Sequence, residues 1–344
     1  MEVREVDLQI KRIFDQWRLF LVEHGISGFA PQETVAIDRT FIWKEADQII
    51  ATGSIAGNIL KYIAIDGAYQ NNGAMFNQVV SKLMNEAAQL GRFHLFVFTK
   101  PVYIKSFSYV GFHLLAQVED GAILETGTPN INDYLNQLPK INNQDDKKIA
   151  AIVMNSNPFT LGHRYLVEKA SRENDSVYVF VVSQDVSLFK FDERFELVKA
   201  GTKDLKNVIV VPGKEYMVSY ATFPAYFLKD DQNVGRFQAK LDAELFKNKI
   251  AAPLNITRRY LGSEPYSKTT DVYNDELSKV LPPEVEVHII ERKKNDNGEI
   301  ITATQVREAI QKDDLTLIKN FVPETTFNFI KKNIDLLKNR FKEV

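Results

Sequence analysis

Between residues 147 and 313, five nearly continuous apolar runs alternate with helix-period segments. This alternation constrains the fold more than any other feature. The runs are KKIAAIVM (147–154), SVYVFVVS (176–183), NVIVVPG (207–213), NITRRYLG (255–262) and EVEVHIIER (284–292). Strands apolar on both faces belong inside a parallel sheet covered by helices, with right-handed crossovers between strands. The helices are predicted at 162–173, 192–204, near 232–247, at 268–281 and at 303–313. In such sheets ligands bind beyond the carboxyl ends of the strands. Chemistry is therefore expected in the segments that directly follow a strand.

The first half reads differently. An amphipathic helix over 7–24 carries Ile13, Trp17, Phe20 and Leu21 on one face. Strands are predicted at 34–43, 48–57 and 59–66, then a Gly/Asn loop at 67–74. A long helix follows with Phe76, Val79, Val80, Leu83 and Ala87 on one face, then a strand at 92–99, a short helical piece and a last strand at 111–118. This order predicts an α+β domain whose antiparallel meander feeds a loop and helix. The polar segment INNQDDKK (141–148) is read as a linker. The expected domains are therefore 1–140, α+β, and 149–344, α/β. The segment 327–341 reads as a basic amphipathic helix with a solvated lysine face.

Composition narrows the function. A formal charge of −2 gives no basic field for nucleic acid. The chain contains no cysteine, which removes disulfides, cysteine–zinc sites and any cysteine nucleophile. Any thiol in the reaction belongs to a substrate. Five histidines make a multi-histidine metal site improbable on numbers alone. The charged start MEVREVDLQIKRIFDQW has no apolar core of a signal peptide, and no run of about 18 apolar residues exists. The expectation is a cytoplasmic protein with neither a membrane nor a nucleic-acid partner.

The most informative segment is MNSNPFTLGHRYLVEKA (154–170). A buried strand ends at Met154, a turn carries Asn157 and Pro158, and Thr160-Leu161-Gly162-His163 opens a helix. Free backbone N–H groups and the dipole at a helix start suit a phosphate. Gly162 lets a nucleotide approach the backbone, His163 can donate to an α-phosphate oxygen, and Thr160 adds a hydroxyl. A second segment, ITATQVREA (301–309), lies about 140 residues later, again after a strand. Thr302 and Thr304 supply hydroxyls at a helix start, and Arg307 stands one turn in, where it can hold departing phosphates. Taken singly, each segment is also an ordinary capped helix.

Thr-x-Gly-His after the first strand, with the late Thr/Arg segment, resembles the nucleotidylyltransferase superfamily, whose members act at the α-phosphate of ATP and release pyrophosphate. The longer stretches NSNPFTLGHRYLVEKAS, VVSQDVSLFKFDERFELVKAGTKDLKNVIVVPG, MVSYATFPAYFLK (217–229) and YLGSEPYSKTTDVYN (260–274) resemble the citrate lyase ligase family, through essentially the whole chain. That resemblance implies a Rossmann-like nucleotidylyltransferase domain behind an N-terminal GNAT-like α+β domain. It implies ATP and Mg²⁺, acetate, and a carrier partner: the acyl carrier subunit of citrate lyase bearing a phosphoribosyl-dephospho-coenzyme A group. The activity implied is acetate activation as acetyl-adenylate, followed by acetylation of the carrier's thiol. In GNAT proteins a Gln/Arg-x-x-Gly-x-Gly/Ala loop cradles the coenzyme A pyrophosphate. Gln70 and Gly73 match it, whereas Met75 replaces a small residue. SYVGFHLLA (108–116) resembles the closing segment of the same fold.

Lys190 and Arg194 are weaker phosphate or carboxylate candidates, and Gly262, Ser263 and Glu264 are candidates for adenosine. Phe223, Pro224, Tyr226 and Phe227 are candidates for an apolar wall. Two other functions stay open on the sequence. One is a coenzyme-forming adenylyltransferase with a nucleotide or phosphopantetheine substrate. The other is a non-catalytic nucleotide- and coenzyme-A-binding regulator.

Overall fold

The computed structural model describes residues 1–29, 34–70, 73–185, 187–217, 234–263, 268–295 and 297–341. They form two compact units, each described by itself. The first runs from Met1 to Gln137 and includes the helix Val234–Leu245; the second holds the rest from Leu138 onward.

The first unit opens with strand β1 (Glu2–Val6) and helix α1 (Lys11–Glu23), followed by β2 (Arg39–Glu45), β3 (Gln48–Ala56) and β4 (Ile59–Ile65). Helix α2 (Ala74–Gln89), β5 (His94–Thr99), α3 (Ile104–Tyr109), β6 (His113–Gln117), β7 (Ala122–Gly127) and α4 (Ile131–Gln137) complete it. The strands make one sheet in the order β1-β2-β3-β4-β5-β7-β6. Every pairing is antiparallel except β4 with β5. The apolar face of α2 lies on this sheet: Val79, Val80 and Leu83 are fully buried with Trp43 and Leu60. Leu83 approaches Gly53 so closely that any Cβ there would overlap it.

Two strands escape the sequence pattern. β1 is an exposed edge strand, and β7 inserts between β5 and β6, so the strand at 113–117 is not the last. β7 carries Glu125, 2% exposed, whose carboxylate accepts from the Ile131 N–H at 3.0 Å and lies 2.7 Å from His94 Nε2. A buried carboxylate inside a strand breaks the apolar run that would have signalled it.

The second unit is doubly wound. It runs β8 (Ile149–Met154), α5 (Leu161–Glu173), β9 (Ser176–Val181), α6 (Phe191–Gly201) and β10 (Val208–Pro212). After α7 (Val234–Leu245), the helix of the first unit, come β11 (Ile256–Gly262), α8 (Lys268–Val280), β12 (Glu286–Ile290), α9 (Ala303–Gln311), α10 (Leu315–Phe321) and α11 (Glu324–Arg340). The sheet is entirely parallel in the order β10-β9-β8-β11-β12. Its centre is dry: Ile149 through Ile152 and Val177 through Val181 have no exposed surface. The segment read as a linker carries a short 3-10 turn (Gln144–Asp146), and the Gln144 carbonyl accepts from Asn255 Nδ2 at 2.7 Å within this unit. The strand order reverses between β8 and β11, which places a crevice beyond their carboxyl ends.

Candidate active site

The loops that leave β8, β11 and β12 enclose a cleft of about 1250 Å³ at that reversal. Its walls carry Asn157, Thr160, Gly162 and His163 from the first motif and Thr302, Thr304 and Arg307 from the second. Gly262 and Arg292 line it as well.

Helix α5 starts at Leu161 because Thr160 caps it. Thr160 Oγ1 accepts the His163 N–H at 3.3 Å, and the Thr160 N–H donates to His163 Nδ1 at 3.1 Å. An imidazole nitrogen that accepts carries no proton, so in neutral His163 the proton sits on Nε2. The protein packed around His163 pushes its pKa down to about 4, and the charge of Arg292 adds to the effect. At neutral pH the cleft therefore presents an uncharged Nε2–H at a helix start. Thr160 is 1% exposed and its oxygen caps the helix. It positions His163 and adds no free hydroxyl. A Cβ on Gly162 would stand 3.2 Å from the Ile301 carbonyl oxygen, so glycine lets α5 begin against the segment that leads to α9.

Helix α9 is capped in the same way. Thr302 Oγ1 accepts the Gln305 N–H at 3.2 Å, and Gln305 Oε1 accepts the Thr302 N–H at 3.0 Å. Thr304 Oγ1 accepts from Arg307 Nη2 at 3.0 Å. Arg307 Nη1 then reaches the Asn157 carbonyl at 2.7 Å and ties the two motifs together across 150 residues of chain. Asn157 Oδ1 accepts the Phe189 N–H at 3.1 Å, so this residue braces neighbouring loops.

Arg292 escaped the sequence reading because the apolar run was read through to it, whereas β12 ends at Ile290 and leaves Arg292 in the following loop. Its Nε donates to the Ser263 carbonyl at 2.6 Å, joining the ends of β11 and β12. Burial lowers the pKa of both Arg292 and Arg307. A guanidinium stays charged even so, and the cleft thus carries two half-buried cations beside a neutral imidazole. Gly262 closes β11 at the cleft wall, its carbonyl accepting from Asn274 Nδ2 at 3.0 Å.

Lys190 does not join this group. It caps α6, is exposed, and its N–H donates to Glu193 Oε2 at 2.8 Å. Glu193 in turn holds the guanidinium of Arg340 from α11. Arg194 is fully buried and donates to the carbonyls of Phe189 (3.0 Å), Asn155 (2.9 Å), Val182 (2.6 Å) and Gln184 (2.6 Å). It clamps loops through these carbonyls, and the nearby Asp185 carboxylate favours its charged form. Asn71, Asn72, Phe223, Pro224, Tyr226, Phe227 and Glu264 lie outside the described residues.

Gln70 and Gly73 line a separate pocket of about 230 Å³ within the first unit. β4 and β5 pair only at Ile59–Phe96 and Leu60–Val97, and the pocket lies further along both strands, between Ile63–Ile65 and Phe98–Thr99. Gly73 caps α2 with φ +69°, a conformation glycine adopts freely. The Gln70 amide donates back to the Ile65 carbonyl at 2.8 Å, and Met75 is buried in the core. Among the described residues no helix is long and apolar enough to cross a membrane.

Residues 149–330 match the family described as citrate lyase ligase C-terminal domain. A [citrate [pro-3S]-lyase] ligase of Klebsiella pneumoniae is 37% identical over 317 residues, covering 90% of either chain. A phosphopantetheine adenylyltransferase of Clostridium botulinum is 28% identical over 158 residues, 43% of this chain and 99% of the relative. Among solved structures, Escherichia coli ElaA covers 37% of this chain and 99% of its own at 12% identity, with a TM-score of 0.31. With the family match spanning the cleft and the ligase similarity spanning nearly the whole chain, the protein belongs to the citrate lyase ligase family of enzymes.

Proposed function

We propose that the cleft of the second unit activates acetate with ATP and passes the acetyl group to a thiol on the citrate lyase acyl carrier subunit. In the first step the acetate carboxylate attacks the α-phosphorus of Mg-ATP in line. The bond to the bridging oxygen breaks, and pyrophosphate leaves with that electron pair. His163 Nε2–H and the first amides of α5 stabilise the α-phosphoryl charge, and the start of α9 with Arg307 receives the pyrophosphate. Positioning and electrostatics suffice, so no protein nucleophile is needed. Magnesium enters with the triphosphate and keeps most of its waters.

In the second step the thiol of the carrier's phosphoribosyl-dephospho-coenzyme A group attacks acetyl-adenylate and AMP leaves. A chain without cysteine supports direct transfer, with no acyl-cysteine intermediate. The pocket at Gln70 and Gly73 is the reading for where the arm rests.

The observation that carries this function is the bond from Arg307 to the Asn157 carbonyl, because it gathers both phosphate-type helix starts around one neutral histidine. The test is ATP–pyrophosphate exchange. Dependence on acetate is expected, and mass spectrometry of the carrier after incubation with ATP and acetate should show one added acetyl group. The similarity to a phosphopantetheine adenylyltransferase favours one rival. Exchange that needs phosphopantetheine or a nucleotide, and ignores acetate, would establish that rival instead.

A further inference from the structure

Ser156 stands between the two asparagines of the first motif and has a different environment from either. Asn155 is exposed and lines the cleft, but its side chain is already committed: its Oδ1 accepts from Arg194 Nη1 at 2.9 Å and its Nδ2 donates to Ser187 Oγ at 3.2 Å. Asn157 is held through Phe189 and Arg307. Braced on both sides, Ser156 takes φ +52°, a left-handed backbone that costs a non-glycine residue about 1 kcal/mol or more. The residue is 1% exposed and lines the cleft, and its Oγ has no hydrogen-bond partner among the described residues. Leaving a buried hydroxyl unsatisfied is a second cost at the same residue. Strain and an unsatisfied donor together, on a loop held by a buried arginine, mark a group kept ready for a ligand.

The surroundings define that ligand. Arg194 Nη1 donates at once to the carbonyls of Val182 and Asn155, so the end of β9 lies against the Ser156 loop. Met154 and Val182 are both 6% exposed on the cleft wall, and the Val182 N–H donates to the Met154 carbonyl at 3.1 Å. One hydroxyl beside two apolar side chains suits neither a triphosphate nor a sugar, which demand several donors. It suits a short aliphatic carboxylate.

Building on the ligase reading above, the geometry points to Ser156 as the anchor of the carboxylic acid substrate. Its hydroxyl donates to one carboxylate oxygen while the other oxygen attacks the α-phosphorus, and the methyl group lies against Met154 and Val182. The carboxylate is already ionised, so no proton moves. A single neutral donor orients the nucleophile without neutralising it, as a direct cation would.

The experiment measures acetate-dependent ATP–pyrophosphate exchange in Ser156→Ala and Ser156→Gly. Glycine tolerates φ +52° and secures a folded variant if alanine does not fold. Both variants should raise the KM for acetate about tenfold or more, the value of a hydrogen bond to a charged group. The KM for ATP should stay within about twofold, and thermal stability should not fall. Val182→Ala should improve propionate relative to acetate. An unchanged KM for acetate in a folded variant overturns the inference, and so does an equal rise in the KM for ATP, which would put the hydroxyl on the nucleotide. Exchange that ignores acetate in the unsubstituted protein would remove the ligase reading and this anchor together. Acetate-dependent exchange with an unaltered KM would remove only the anchor.

Discussion

The first unit and the cleft of the second handle their charges in opposite ways. In the first, cations meet carboxylates of the same unit: Arg39 pairs with Glu5 and Glu86, Lys82 with Glu86, and Arg92 with Asp38 at 2.6 Å. The hydrogen bonds that Arg39 donates to Glu5 raise the Arg39 pKa, and Arg92 lowers that of Asp38. In the cleft of the second unit the shifts run the other way, because burial lowers His163, Arg292 and Arg307 alike. Paired charges hold a fold in one arrangement. Charges kept against desolvation in a cleft mark a place where an anion completes the structure.

If the cleft is the reacting region, its neutral donor carries the largest effect. His163→Ala should lower turnover in acetate-dependent exchange by about 10² or more with the fold retained. Near-normal turnover in a folded variant would take His163 out of the chemistry. Arg307→Ala comes next, since it releases the Asn157 carbonyl and removes a half-buried cation from the cleft. The expected loss in kcat/KM for ATP is about tenfold to a hundredfold, the value of charge-assisted hydrogen bonds. Steady-state kinetics with ATP varied at saturating acetate would show it, and unaltered ATP kinetics would refute the phosphate role.

A smaller and more selective effect should come from the first unit. Gln70→Ala combined with Gly73→Val disturbs its pocket, and valine resists φ +69°. Acetylation of the carrier should fall several-fold while acetate-dependent exchange stays normal. Equal loss of both would mean that the units are not separable in function.

The sequence made these regions legible to different degrees. The parallel sheet could be read because its strands are apolar on both faces, and the first motif because Thr160, Gly162 and His163 combine a cap, a close approach and a donor. β1 stayed hidden because its residues are almost all exposed, and β7 because Glu125 interrupts it. Lys190 resembles a phosphate ligand in sequence, yet its helix start faces Arg340. Burial alone separates Arg194, a clamp, from Arg292, a cleft wall. The left-handed turn at Ser156 depends on bonds from Arg194, Phe189 and Arg307, none of which is local to the Asn-Ser-Asn string.

The smallest effect concerns pH and tests the burial of His163 directly. Its folded pKa is about 4, below the ordinary 6.5. Above about pH 6.5 both folded and unfolded chains hold it neutral, so its contribution to stability is complete and flat. As pH falls from there toward 4, the unfolded chain takes up a proton that the folded chain refuses, and stability is lost. The loss is bounded by about 3 kcal/mol at pH 4. His163→Asn removes the titration, and an amide oxygen can still accept from the Thr160 N–H. Denaturant unfolding of the two proteins between pH 4.5 and 7.5 should therefore give stability curves that converge toward the acid end. ATP added to the unsubstituted protein should flatten its curve, because an anion against the imidazole favours the protonated form. Parallel curves would place His163 in contact with water, and the cleft would then lack the desolvated character that separates it from the first unit.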